Sequence, residues 1–289
     1  MDLFIQQLVN GLTLGSIYVL VALGLTLIYG IMEVPNFAHG NMYMVGAYVT
    51  FFMMTVYDVN YWLAALIAAV VLALLGILLE RMVFHPLRNA PSVNKFIAAL
   101  GTMLFMEALA RVFWGSEYRQ IPAVYDNVIN LWGIIVTEQR LIVIASTILL
   151  IIALNWFLKR TIIGSSIEAM AQSREGASLV GINVNMVAIL TFVVASSLAG
   201  AAAALAGPIF LVYPSMGSLI IMKAFVIIVI GGMGSIPGAV LGGYILGITE
   251  SMGATYISTD YKDLVAFLLL VLILSVKPTG LFAKGAKQW

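Results

Sequence analysis

Asn36, His39 and Asn41 surround Gly40 in NFAHGN, a polar cluster at the start of an apolar run. Polar side chains in lipid are costly and face a bundle interior or a cavity. The cluster therefore predicts a helix break that lines a translocation path or a gate. His39 has no second histidine and no cysteine near it, so it reads as a hydrogen-bonded structural residue, not a metal ligand. The chain has no cysteine and two histidines, His39 and His85, which excludes disulfides, thiolate metal sites and cysteine nucleophiles. No nucleophile–base pair and no metal-ligating cluster is apparent in what remains. The P-loop signature, Gly-x-x-x-x-Gly-Lys followed by Ser or Thr, does not occur, so nothing here cradles a phosphate. The expectation is a protein that is not an enzyme, with no catalytic residue, metal or cofactor of its own. Any ATP and magnesium it depends on must be bound by another chain.

A second break is predicted at Gly231, Gly232, Gly234 and Pro237 in GGMGSIPG. Interrupted helices free backbone amides and carbonyls that can hold a carboxylate or an amine. The bland alternative is packing. Gly234, Gly238 and Gly242 repeat at four, as do Gly243 and Gly247, and Gly11 and Gly15, and such rows let helices approach closely. Glu107 and Arg111 are spaced i,i+4 for a same-face ion pair. Lys223 and Glu250 read as side chains snorkelling from the outer ends of their spans; a charge pair for a zwitterionic solute is the alternative.

The strip SREGASLVGI, Ser173 to Ile182, is polar between two hydrophobic spans. Upstream, Ser165 and Glu168 fit the capping box S-x-x-E. From Ser166 the sequence can run helical to Val180, with Ile167, Met170, Ala171 and Ala177 roughly on one face. Gly181 supplies a left-handed C-cap. Gly176 costs such a helix about 1 kcal/mol relative to alanine. A helix resting on lipid wants a basic polar face, whereas Glu168 and Glu175 here oppose only Arg174. The region 165–182 therefore reads as a docking helix for a protein partner.

The elements that must position these residues follow from composition. The 289-residue chain is 62% hydrophobic and 9% charged, with a mean hydropathy of +1.07. Soluble domains carry about 25% charged residues, so this is an integral membrane protein. A net charge of +1 points to no nucleic-acid partner. MDLFIQQLVNGL lacks a basic start, so the first hydrophobic stretch reads as a retained span. Apolar runs fall at 8–31, 38–56, 61–82, 96–114, 140–158, 186–212, 218–231, 237–254 and 263–276. They predict one domain, 1–289: an all-α polytopic bundle of about eight or nine spans with broken or re-entrant helices. Whether 218–254 is two spans or a hairpin stays open. Arg81, Arg88 and Lys95, then Lys159, Arg160 and Arg174, then Lys277, Lys284 and Lys287 form three basic clusters separated by even numbers of spans. The positive-inside rule places all three in the cytoplasm, the C-terminus with them and the N-terminus outside. The connection 115–139 carries Trp114, Tyr118, Tyr125 and Trp132 at its edges and within it. It reads as interfacial, a short helix lying on the outer surface.

Glu175-Gly176-Ala177, three residues and Gly181 resemble the EAA-x3-G loop by which permeases of ATP-binding-cassette importers dock on their ATPases, with Gly in place of the middle Ala. NFAHGNMYMVGAY, the Arg81 to Pro-Leu-Arg connection, SMGSLIIMKAF, GGMGSIPGAVLGG and KPTGLF together resemble one subfamily, along essentially the whole chain and in order. That is the branched-chain amino acid importer permease of the LivH type. The resemblance implies a bacterial inner-membrane, multi-pass subunit carrying leucine, isoleucine and valine. It implies a second homologous permease as heterodimer partner, two cytoplasmic ATPase subunits and a periplasmic binding protein. It assigns ATPase coupling to Glu168, Arg174, Glu175, Gly176, Ala177 and Gly181. A same-architecture permease for urea, short amides or another amino acid is the nearer alternative, and an ion-coupled carrier the further one.

Overall fold

Apolar runs of this length satisfy their backbone in lipid only as helices or closed barrels, and the computed structural model, which describes residues 2–131 and 134–282, is helical throughout its core. Trp132, Lys284 and Lys287 lie outside the described residues. The helices are α1 (Asp2–Met32), α2 (Ala38–Thr55), α3 (Tyr61–Leu79) with a π-turn at Glu80–Phe84, α4 (Ser92–Trp114), α5 (Glu138–Arg160), α6 (Ile162–Gln172), α7 (Arg174–Leu179), α8 (Val184–Ala206), α9 (Met216–Gly231), α10 (Ile236–Tyr256) and α11 (Lys262–Val276). Among the described residues, α1, α3, α4, α5 and α8 are each long and apolar enough to cross a bilayer. Helices α9 and α10 meet that test only together, across a break bent by 119°.

Burial ranks the helices. About the axis stands α1, with 78% of its apolar window buried, against 17% for α4 and 22% for α5. It packs on α10, α8, α9 and α5. Its contact with α10 is backbone on backbone. Gly11 and Gly15 face Gly247 and Gly243, and a Cβ added at Gly11 would lie 2.6 Å from the Ile248 Cα. The small-residue spacing read from sequence is thus a real seam, internal to the chain.

At the end of the bundle where α1 begins, residues 115–137 depart from expectation. In place of a surface helix there is an antiparallel hairpin, β1 (Val128–Leu131) paired with β2 (Ile134–Thr137), Val128 opposite Thr137. The cause is local: VINL and IIVT are rich in β-branched residues, which lose rotamer freedom in a helix and fit a pleated surface. Gln6 ties α1 to this hairpin, its amide donating to the Ile135 carbonyl at 2.7 Å and accepting from the Ile135 amide at 3.0 Å. Arg119 pairs through its backbone with Val212 and sets its guanidinium 5.3 Å from the ring centroids of both Phe51 and Phe52.

The break between α1 and α2 is where the sequence puts it. Glu33 takes the left-handed conformation, φ 56°, and the Asn36 side chain accepts from the Ala38 amide at 3.1 Å, opening α2. Gly40 is not in the break. It lies inside α2, where a Cβ would strike the Gly217 carbonyl at the start of α9.

Overpacking the α1–α10 seam should unseat both helices. Gly247→Val is expected to cost at least about 1–3 kcal/mol. The check is a lowered thermal unfolding midpoint of the detergent-purified protein, with Gly101→Val, whose Cβ would meet nothing within 4 Å, as the unchanged control.

Candidate functional site

A cavity of about 630 Å³ opens between α1, α9, α10 and α11, roofed by residues 209–213. It lies in the half of the bundle nearer the hairpin, since Gln7 and Asn10 line it. Its lining is apolar at Leu14, Ile17, Met216, Leu219 and Ile220, and charged at Arg140, Lys223, Glu250, Lys262 and Asp263.

Lys223, Glu250 and Asp263 form one connected network with Tyr18. Lys223 is salt-bridged to a Glu250 carboxylate oxygen and lies 3.1 Å from Asp263. Its ammonium also donates to the Tyr18 hydroxyl at 3.0 Å, and that hydroxyl donates to the other Glu250 oxygen at 2.9 Å. The side chains of Lys223 and Glu250 are 16% and 5% exposed; Asp263 is 53% exposed. The snorkelling read from sequence is therefore corrected. Lys223 sits mid-way along α9 and turns inward, because the carboxylate of α10 and the hydroxyl of α1 satisfy it there at less cost than lipid would. Tyr18 and Asp263 went unnoticed in the sequence, as did Arg140, which also lines the cavity and bonds Asn10. The usable signal was a pair of opposite intramembrane charges on neighbouring spans.

The first predicted break is fully buried. Asn36, His39 and Asn41 are 0% exposed. Asn41 donates to the Met103 carbonyl of α4. Its Oδ1 and the Asn36 Nδ2 have no partner among the described residues. The His39 ring is packed against Gly24 and near the Val21 carbonyl, with neither nitrogen in a hydrogen bond of standard geometry. The expected hydrogen-bonded histidine is thus held by packing, in the space that Gly24 leaves. A buried unpaired polar atom costs about 1–3 kcal/mol, so the start of α2 is the least satisfied part of the core.

The second break is not brought to the first. Helix α9, about 24 Å long at 1.5 Å per residue, separates Gly231, Gly232, Gly234 and Pro237 from Gly40 and Asn41. Nor are its carbonyls at Ile230 and Gly231 free for a solute: the Leu281 and Phe282 amides donate to them at 2.8 and 3.0 Å. Ser235 caps α10, accepting from the Gly238 amide at 3.2 Å, and Pro237 sits in the first turn. Glu107 and Arg111 form the expected pair at 2.6 Å, and Ser218 donates to Glu107, joining α4 to α9.

At the opposite end, 165–182 is two helices, not one. Thr161, not Ser165, caps α6, accepting from the Gly164 amide at 3.0 Å; Ser165 is interior and donates back to the Thr161 carbonyl. The chain breaks at Ser173, whose hydroxyl caps α7 by accepting from the Gly176 amide at 3.0 Å. Gly176 therefore lies in a first turn and not in a helix interior. Gly181 has φ 85°, with Gly181 N–H to Ser178 and Ile182 N–H to Ala177, the double bond pattern of a Schellman cap. Ile167, Met170 and Ala177 face the core as expected, while Ala171 is exposed. Glu168 and Glu175 point outward beside Leu179 and Val180, 87% and 75% exposed. Arg174 turns inward to the Arg88 carbonyl, and burial, then the Arg88 guanidinium, push its pKa down. Arg88 in turn pairs with buried Glu80 at 3.0 Å and bonds Asn185 of α8.

Comparison with known proteins places this architecture. The family model described as branched-chain amino acid transport system / permease component matches residues 7–274. The chain is 40% identical to the high-affinity branched-chain amino acid transport system permease protein LivH of Escherichia coli K12, over 97% of this chain and 96% of that one. It is 24% identical to LivM, named as a permease protein of the same system in the same organism, over 96% of this chain and 70% of that one. Among solved structures, PsaBC from Streptococcus pneumoniae in complex with Fab superposes with a TM-score of 0.51 at 13% identity, covering 93% of this chain and 91% of that chain, which supports the fold alone.

Removing one partner of a buried ion pair strands the other. Lys223→Met should lower stability by about 3–5 kcal/mol, and Lys223→Met with Glu250→Gln should recover a large part of it. Thermal unfolding of the purified protein reads both; equal midpoints for wild type and single variant would show that the pair contributes nothing.

Proposed function

The chain belongs to the branched-chain amino acid transport permease family, and on that premise we propose that it is the membrane-spanning subunit of an ATP-driven importer for leucine, isoleucine and valine. The similarity to LivH along nearly all of both chains is the observation that carries this reading. The chain acts as one permease domain in the bacterial inner membrane. Its nine longer helices, α1–α5 and α8–α11, cross or re-enter the bilayer, with the hairpin end outside and α6, α7 and Lys277 in the cytoplasm, in keeping with the basic residues at that end. The partners are a second, LivM-like permease, two ATPase subunits that bind ATP and magnesium, and a periplasmic protein that delivers the solute to the hairpin end.

Coupling runs through 162–181. Glu168, Glu175 and the exposed Leu179 and Val180 face outward for the ATPase, held in place by Gly176, Ala177 and the Gly181 cap. Arg174 carries movement of α7 to the 85–91 connection, and Arg88 passes it to α8 through Asn185 and to the end of α3 through Glu80. The inward-facing gate is the start of α2. Its unpaired Asn36, His39 and Asn41 atoms gain hydrogen bonds from water when the helix shifts, which lowers the cost of opening. Gly231, Gly232, Gly234 and Pro237 form the flexible joint at the cytoplasmic end of α9.

The decisive assay reconstitutes the complete complex and measures ATP hydrolysis with binding protein loaded with leucine or with urea. Stimulation and uptake with leucine are expected; stimulation by urea alone, or uptake that persists without the ATPases, would reassign the protein. Glu175→Lys and Gly181→Leu should cut uptake about tenfold, within the range of ordinary coupling free energies, while ATP hydrolysis continues. Uptake and hydrolysis measured on the same vesicles check this.

A further inference from the structure

We propose that the Lys223–Asp263 pair on the cavity wall is a transit site for the zwitterionic head group of an amino acid, with the α-carboxylate on Lys223 and the α-ammonium on Asp263. The proposal rests on the permease reading above and adds a ligand site to it.

The network divides into a fixed and a releasable part. Lys223, Tyr18 and Glu250 close a triangle of buried or largely buried side chains. An ammonium has three donors, and two of them are committed to that triangle. The third meets Asp263, which stands in the first turn of α11 and is half exposed. A contact of that kind contributes little in solvent, so it is the one that can open. The surroundings stay fixed when it does, because Glu250 still neutralises Lys223.

Charge balance selects the guest. Arg140 and Lys262 also line the cavity, but in the network itself one cation, Lys223, stands between two carboxylates, Glu250 and Asp263. A zwitterion inserted between Lys223 and Asp263 replaces one ion pair by two and leaves neither of these side chains unpaired. A neutral amide offers no such exchange, and a simple cation or anion satisfies only one side. The head group so placed leaves the side chain facing Leu14, Ile17, Met216, Leu219 and Ile220, apolar surface of the kind an aliphatic residue prefers. The cavity is open enough for the contact to be temporary. A site on a path must hold its solute weakly enough to let it go.

The test uses the assembled permease–ATPase complex in lipid nanodiscs, without binding protein, and radiolabelled leucine. Wild type should bind leucine, with displacement by isoleucine and valine but not by leucinamide, which lacks the carboxylate, or by 4-methylpentanoate, which lacks the ammonium. Asp263→Asn, an exposed and mild change, should weaken binding at least about tenfold, as loss of one partner in a charged hydrogen bond does. Lys223→Gln should abolish it, with size-exclusion confirming that both variants assemble. Wild-type affinity in Asp263→Asn, displacement by leucinamide, or no leucine binding by wild type would each overturn the site. So would an anionic lipid that co-purifies with wild type and is lost in Lys223→Gln while leucine binding persists. In every such case, leucine-stimulated ATP hydrolysis with intact uptake leaves the permease reading standing; loss of both means that reading fails instead.

Discussion

Close contact between α1 and α10 determines where almost everything else can be. Lipid gives apolar helices no hydrophobic reason to associate, so dense packing must supply the attraction. Gly11, Gly15, Gly243 and Gly247 let the two backbones touch. That register places Tyr18 within reach of Glu250 and Ser251 within reach of Gln7, the Ser251 hydroxyl donating to the Gln7 carbonyl at 2.9 Å. A side chain anywhere along the seam would push α10 outward and take one wall of the cavity with it. The charge network is thus a product of small residues within one turn of it: Gly15 lies three residues from Tyr18 and Gly247 three from Glu250.

Two kinds of polar burial coexist in this core and differ in character. Around Lys223 the buried charge is answered, and the Lys223–Tyr18–Glu250 triangle is rigid because breaking one of its contacts strands another group. Around His39 the polar atoms are buried without being answered. The contrast matches the roles proposed for them. A wall that must keep its shape while a solute passes has closed bonding; a helix start that must move has little bonding to lose.

Hydrophobic length made most of the helices legible. The run 38–56 became α2, 140–158 became α5, and the breaks at NFAHG and GGMGSIPG appeared where glycine, proline and asparagine interrupt the pattern. Local chemistry was legible at Gly181, where only a left-handed residue ends the helix cleanly. It misled at Ser165, because Thr161 stands four residues earlier and reaches an orphan amide first. The hairpin escaped because aromatic residues at an interface say nothing about backbone conformation. What could not be read was pairing across distance. Lys223, Glu250, Asp263 and Tyr18 come from four helices, and nothing in their spacing announces that these helices share a wall. Likewise, the carbonyls exposed by the second break looked available because their partners, Leu281 and Phe282, lie beyond α11.

That last contact bears on how the protein is made. The turn at Gly231 leaves the ribosome well before residues 281 and 282 exist. Until they arrive, the Ile230 and Gly231 carbonyls need water or lipid head groups as substitutes. The joint between α9 and α10 therefore completes its bonding only after α11 has been inserted and the following segment has folded back. Assembly of this permease is ordered in time, and its central hairpin matures late in biogenesis.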